Sequence, residues 1–63
     1  GLGPFDRAFA HEAIARASWL LGDASSSSAA RAAGEAAAVE VMEDEARAWV
    51  RRNLAAVETA PVI

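Results

Sequence analysis

The chain of 63 residues has no cysteine, no lysine and no tyrosine, and only one histidine. Without cysteine there is neither a disulfide framework nor a thiolate metal site. That absence fits a cytosolic protein, and a cytoplasmic location is the expectation. All six basic residues are arginines against nine acids, giving a net charge of −3. A binder of phosphate backbones needs a concentrated positive field, so no nucleic acid is expected as partner. No apolar run approaches the ~20 residues of a membrane span, and no basic segment followed by an apolar run marks a signal peptide. No membrane partner is expected either. The start, Gly1-Leu2-Gly3-Pro4, carries no methionine, as expected of a processed or tag-derived chain or a piece of something longer. The alanine and arginine usage suggests GC-rich coding and a bacterial source.

Size sets the next limit. A domain this short buries only about 60% of its unfolded surface, and its core rarely supplies more than ~3–5 kcal/mol. With no covalent staple, oligomerisation or docking on a larger body is the expected supplement. Residues 1–63 therefore form a single small helical domain or a fragment of a longer helical-repeat protein.

Little in the sequence interrupts helices: two prolines and four glycines. Pro4 suits a first helical position, where its missing N–H costs nothing, and Asp6 suits the positive end of the dipole. At 100° per residue, Phe9, Ala10, Ala13, Ile14, Ala17, Leu20 and Leu21 share one broad face, expected to be the buried one, with Phe5 at its edge. Gly22 ends this helix, about 4–21. Asp23 is a good N-cap for the next. The stretch "GDASSSSAARAAGEAAA" can be a flexible linker or a helix whose side chains are small. The dense alanines from 29 to 38 favour a helix over about 24–42 with the serines as its first turn. Small side chains would let a neighbouring helix approach closely, and Val39, Val41 and Met42 supply bulk at its far end. Asp44 is the expected N-cap of a third helix, about 44–58, with a stripe of Ala46, Trp49 or Val50, Asn53 or Leu54, and Val57. Arg47, Arg51 and Arg52 lie off its centre. Residues 59–63, with Pro61, form a tail. No segment alternates like a strand. The fold class is all-α: an antiparallel helical hairpin plus a third helix.

"AFAHEAIARASWLLGD" resembles the first helix and turn of a tetratricopeptide-type repeat. Ile14, Ala15 and Gly22 match its spacing, and Ser27 and Gly34 fall where that family has small residues. Ser18 and Arg31 stand at positions usually aromatic there, and Val39 where a proline is common. From Phe5 to Glu58 the chain is also similar to the C-terminal end of bacterial TPR-like proteins of no known activity, through Phe5, Asp6, Ala8, Phe9, Ala10, Glu12, Ala13, Gly22, Asp23, Glu43, Asp44 and Arg47. The resemblance implies a degenerate repeat closed by a capping helix. Single repeats cannot bury their faces; about three are needed. It therefore implies stacking on other copies or on a preceding helical repeat.

Reactive groups are sparse. "HEAIA" begins like the zinc-protease helix motif, but Ala15 stands where the second histidine is required. A Glu-x-x-His pair fails because Ala8 precedes His11 by three. His11 lacks the partners acid–base catalysis needs, and is expected at a helix surface or an interface, where it would make assembly pH-sensitive. Glu40, Glu43, Asp44 and Glu45 lack the alternation and mid-loop glycine of a calcium loop. A Glu43–Arg47 pair at i,i+4 is expected instead. No catalytic residue, cofactor or metal is expected. Trp19 falls beside Ala15 and toward Glu12, off the broad apolar face, and an indole so placed is expected at an interface. The expected function is a non-enzymatic helical protein–protein interaction or oligomerisation module with Arg16, Trp19, Trp49 and Arg51 as partner contacts. The alternative is a small or truncated subunit of an enzyme whose active site lies on another chain.

Overall fold

A computed structural model of the chain describes residues 3–59; the tail beyond Thr59 and the first two residues lie outside them. Three helices follow one another, α1 (Pro4–Leu20), α2 (Ala24–Ala38) and α3 (Asp44–Ala56), and a single 3₁₀ turn, Val57–Thr59, ends the described chain. Among the described residues there is no strand. The architecture is all-α, a hairpin of α1 and α2 with α3 laid across both.

Local chemistry sets the hairpin turn. Pro4 occupies the first turn of α1, behind an extended Gly3. At the other end Gly22 adopts φ 82°, a left-handed conformation that glycine takes without Cβ strain. Its N–H bonds to Trp19 O at 3.0 Å, and the Asp23 N–H to Ser18 O at 2.8 Å, so the last carbonyls of α1 are satisfied. Asp23 then serves the next helix. Its Oδ1 accepts from the Ser26 N–H at 3.0 Å, and the Ser26 hydroxyl and N–H together hold its carboxyl below the usual aspartate value. The serine run is the first turn of α2, not a linker.

α2 is shorter than its alanine content suggests. It stops at Ala38, and Glu40 and Val41 N–H groups turn back onto Ala37 and Ala38 carbonyls at 3.1 and 3.0 Å. This swings Val41 into the interior while Val39 and Met42, expected to be bulk for the core, remain 73% and 92% exposed. Arg47 Nη1 donates to Val41 O at 2.8 Å and fastens the linker to α3. Glu43, not Asp44, is the N-cap of α3, without a side-chain bond. Asp44 is occupied elsewhere, accepting from Arg47 Nη2 at 2.6 Å, so Arg47 pairs at i,i−3 in place of the expected Glu43.

The buried side chains are small. One cluster joins Ala8, Ala37, Ala38, Val50 and Leu54, with Phe9 against it; a second joins Ala15, Ala30 and Val57, with Trp19 against it. The expected face of α1 is buried only in part: Phe9 packs on the first cluster and Leu20 is half-buried. Ala10, Ala13, Ile14, Ala17 and Leu21 point outward, and the core-facing row is Ala8, Glu12, Ala15 and Trp19. The cause is the surface of α2. It presents Ser27, Ala30, Gly34, Ala37 and Ala38, which offer no deep hole for an isoleucine but allow backbones to come close. The Ser27 hydroxyl, fully buried, donates to Ala15 O at 2.9 Å. At that separation only alanines fit opposite.

Gly34 marks the tightest point. A Cβ there would stand 2.7 Å from Leu54 Cδ2 and 3.3 Å from His11 Cβ, so residues of α1 and α3 both close on it.

Candidate functional site

A catalytic site needs reactive groups converging in a pocket; the charged groups that line hollows among the described residues are Glu40 and Glu43 in one and Glu45 and Arg52 in another. No group of three or more histidine, aspartate or glutamate side chains is placed to hold a metal ion among the described residues. His11, half-buried, lies beside Gly34 at the α1–α2 contact. It is in the crowded middle of the fold, not on an open helix surface. Glu12 was not legible as a core residue, yet it is 4% exposed, with Oε1 3.4 Å from Arg16 Nε. Its only sequence signal is position, i+4 from Ala8 and three before Ala15.

What the molecule does offer is outward apolar surface. The stripe Ala10, Ala13, Ile14, Ala17 and Leu21 runs along the C-terminal part of α1 to its cap, with Ile14 54% and Leu21 83% exposed. At the other end an open groove of about 560 Å³ lies between Pro4, Phe5, Val41, Met42 and Ala46, with Glu40 and Glu43 at its edge. On α3, Trp49 is 46% exposed. Its ring is propped from beneath, 6.3 Å from Phe5 and nearly parallel to it at 13°, and 4.7 Å from Phe9 at a 47° tilt. Phe5 and Phe9 are themselves 5.0 Å apart. An aromatic stack of this kind holds an indole rigid and presents one of its faces.

The four expected contact residues separate. Trp49 and Arg51 share α3, with Arg51 Nε paired to Glu35 Oε2 at 3.1 Å. Arg16 is exposed on α1 and paired to Glu12. Trp19 faces inward, half-buried on Ala15, Ala30 and Val57. A three-helix unit does have a place for this indole, because α1 turns its Ala8–Trp19 row to α2 and the 3₁₀ turn covers the far end.

Among the described residues, five of the six arginines are matched to a carboxylate. Arg7–Glu40, Arg16–Glu12, Arg31–Glu58, Arg47–Asp44 and Arg51–Glu35 are all within 3.5 Å. Among the described residues only Arg52 of the six arginines has no carboxylate within 4.0 Å. It sits with Glu45, Ala48 and Trp49 around a shallow cleft of about 410 Å³ on the outer face of α3.

No protein-family model, curated protein or solved structure matches the chain. No described helix is long and apolar enough to cross a membrane.

Proposed function

We infer that this chain is a non-catalytic helical module for protein association, binding other copies of itself or a neighbouring helical repeat. One observation carries the reading: Ile14 of α1 and Leu21 at its C-terminal cap point away from the core. Ile14 and Leu21 lie outward while Ala8 and Ala15 are fully buried. Single exposed apolar residues are ordinary, but a continuous stripe marks a surface that meets another. The molecule measures 34 × 21 × 13 Å, its short axis little more than one helix diameter. A body so thin leaves every helix with an outer face. In this reading Trp49 is the aromatic anchor, Arg16 and Arg51 flank the contact, and Trp19 supports it from the core side. The resemblance to a TPR-like repeat and cap, a cytoplasmic setting and a bacterial source belong to the same reading; they are supported by the hairpin geometry, the lack of cysteine and the composition.

Anything that binds the native state raises its melting point by mass action. Thermal unfolding followed by circular dichroism should therefore show a midpoint that climbs with protein concentration. A sharp transition whose midpoint is the same at every concentration contradicts the reading.

A further inference from the structure

The outer face of α3 has an order that the other outward surfaces lack. Glu45, Ala48, Trp49 and Arg52 follow at i, i+3, i+4 and i+7, so they share one side of the helix. All four are exposed. An acid stands at one end of the face, a base at the other, and a small residue and a large one lie side by side between them. Glu45 and Arg52 are about 10.5 Å apart along the axis, at 1.5 Å per residue, too far to pair with each other. Neither has an ion-pair partner among the described residues. The other five arginines are all engaged, so Arg52 is the one arginine without a carboxylate partner among the described residues.

We propose that a second copy of this chain docks antiparallel on the outer face of α3, across a two-fold axis passing between Ala48 and Trp49. The inference rests on the association reading and names its surface. Under that symmetry the same patch meets itself. Glu45 faces Arg52 of the second copy, and Arg52 faces its Glu45, so two opposite-charge pairs form at the ends. Trp49 faces Ala48 of the second copy at the centre. The cleft between Glu45, Ala48, Trp49 and Arg52 receives the incoming indole, whose own underside stays stacked on Phe5 and Phe9. Ala48 carries no bulk, so the helices can reach the 8–10 Å separation of packed pairs. Met42, 92% exposed just before α3, comes opposite Ala55 of the second copy and extends the contact beyond the helix. A parallel arrangement fails on the same residues: it sets Glu45 against Glu45 and Arg52 against Arg52. One short helix face buries less than the roughly 1,200–2,000 Å² of a standard interface, so the dimer is weak and dissociates on dilution.

Sedimentation velocity on the whole chain tests this. Glu45→Arg and Arg52→Glu each turn two attractions into two repulsions, and each should weaken self-association about tenfold or more. Combining them exchanges the charges and should restore it, which no loss of folding would do. Ala48→Gln, a good helix former placed on the axis, should abolish dimerisation while helicity by circular dichroism is kept. Raising ionic strength from about 0.01 M to about 1 M shortens screening from about 30 to about 3 Å and should weaken the wild-type dimer. If the charge reversals and Ala48→Gln leave self-association unchanged while Ile14→Glu with Leu21→Glu abolishes it, copies meet through α1: the inference is overturned and the association reading stands. If the unmodified chain stays monomeric at every concentration, both are overturned.

Discussion

The two internal contacts of this molecule are built on different principles. Between α1 and α2 the partners are alanines, Gly34 and Ser27, and the helices touch nearly backbone to backbone. Against α3 the contact is made by longer side chains: Val50 and Leu54 are fully buried, Phe5 and Phe9 stack under Trp49, and Arg51 reaches across to Glu35. A close-packed seam uses few carbon atoms and leaves the large residues of α1 without a place in it. A side-chain seam takes in bulk and spans distance. The difference explains why Ile14 and Leu21 are outside.

Substitutions can break this contrast in graded steps. Leu54→Ala removes the largest fully buried side chain and should cost about 3 kcal/mol, most of the stability available to so small a core. Chemical denaturation should find the variant largely unfolded. Gly34→Val crowds both seams at once, because even a Cβ would stand 2.7 Å from Leu54 Cδ2; overpacking should cost about 2 kcal/mol. Gly34→Ala combined with Leu54→Ala sharpens the point. The added methyl occupies space the leucine vacates, so the double variant should be less destabilised than the two single losses summed, by about 1 kcal/mol. Simple additivity would show that the two residues do not share that space. Ser27→Ala tests the close seam alone and should cost about 1 kcal/mol, the net worth of one buried hydrogen bond. Arg51→Ala, on the side-chain seam, loses an exposed pair and should cost about 0.5 kcal/mol or less.

The smallest expected effect is one of pH. The Asp23 carboxyl is held below its ordinary value of 3.8 by the Ser26 hydroxyl and N–H. A depressed carboxyl stabilises the fold above its unfolded value, and that contribution fades as the pH falls from about 3.8 through the folded value. Asp23→Asn keeps the cap and should remove only this part of the acid dependence, seen as a smaller drop in melting temperature on acidification.

Much of the fold is legible from local chemistry. Gly22 and Asp23 side by side mark the end of one helix and the start of the next, and both act as expected. Of the choices the stripe leaves open, Val50 and Leu54 are the buried ones, and Val57 is buried with them on the 3₁₀ turn. The buried row of α1 was not legible, because hydrophobic patterning weights bulk, and here separation between helices decides burial. Alanine has little weight on such a scale, yet Ala8 and Ala15 are fully buried and Ile14 is not. Glu12 is hidden for the same reason, and so is the seat of Trp19 against Ala15, Ala30 and Val57. The end of α2 was misjudged by about four residues because Val41 is pulled inward and held by Arg47. On the candidate surface, the pattern offers Trp49 both as an alternative to Val50 in the stripe and as a contact residue, and it is 46% exposed. The self-complementary order of Glu45, Ala48 and Arg52 emerged only once the other arginines were seen to be paired.

The claim beneath all of this is that the outward faces are covered by another protein surface, and first by a second copy. Sedimentation equilibrium of the unmodified chain tests it most directly. The account predicts a weight-average mass that rises above the 6.5 kDa of one chain as concentration increases. A mass that stays at 6.5 kDa from dilute to concentrated solution contradicts it.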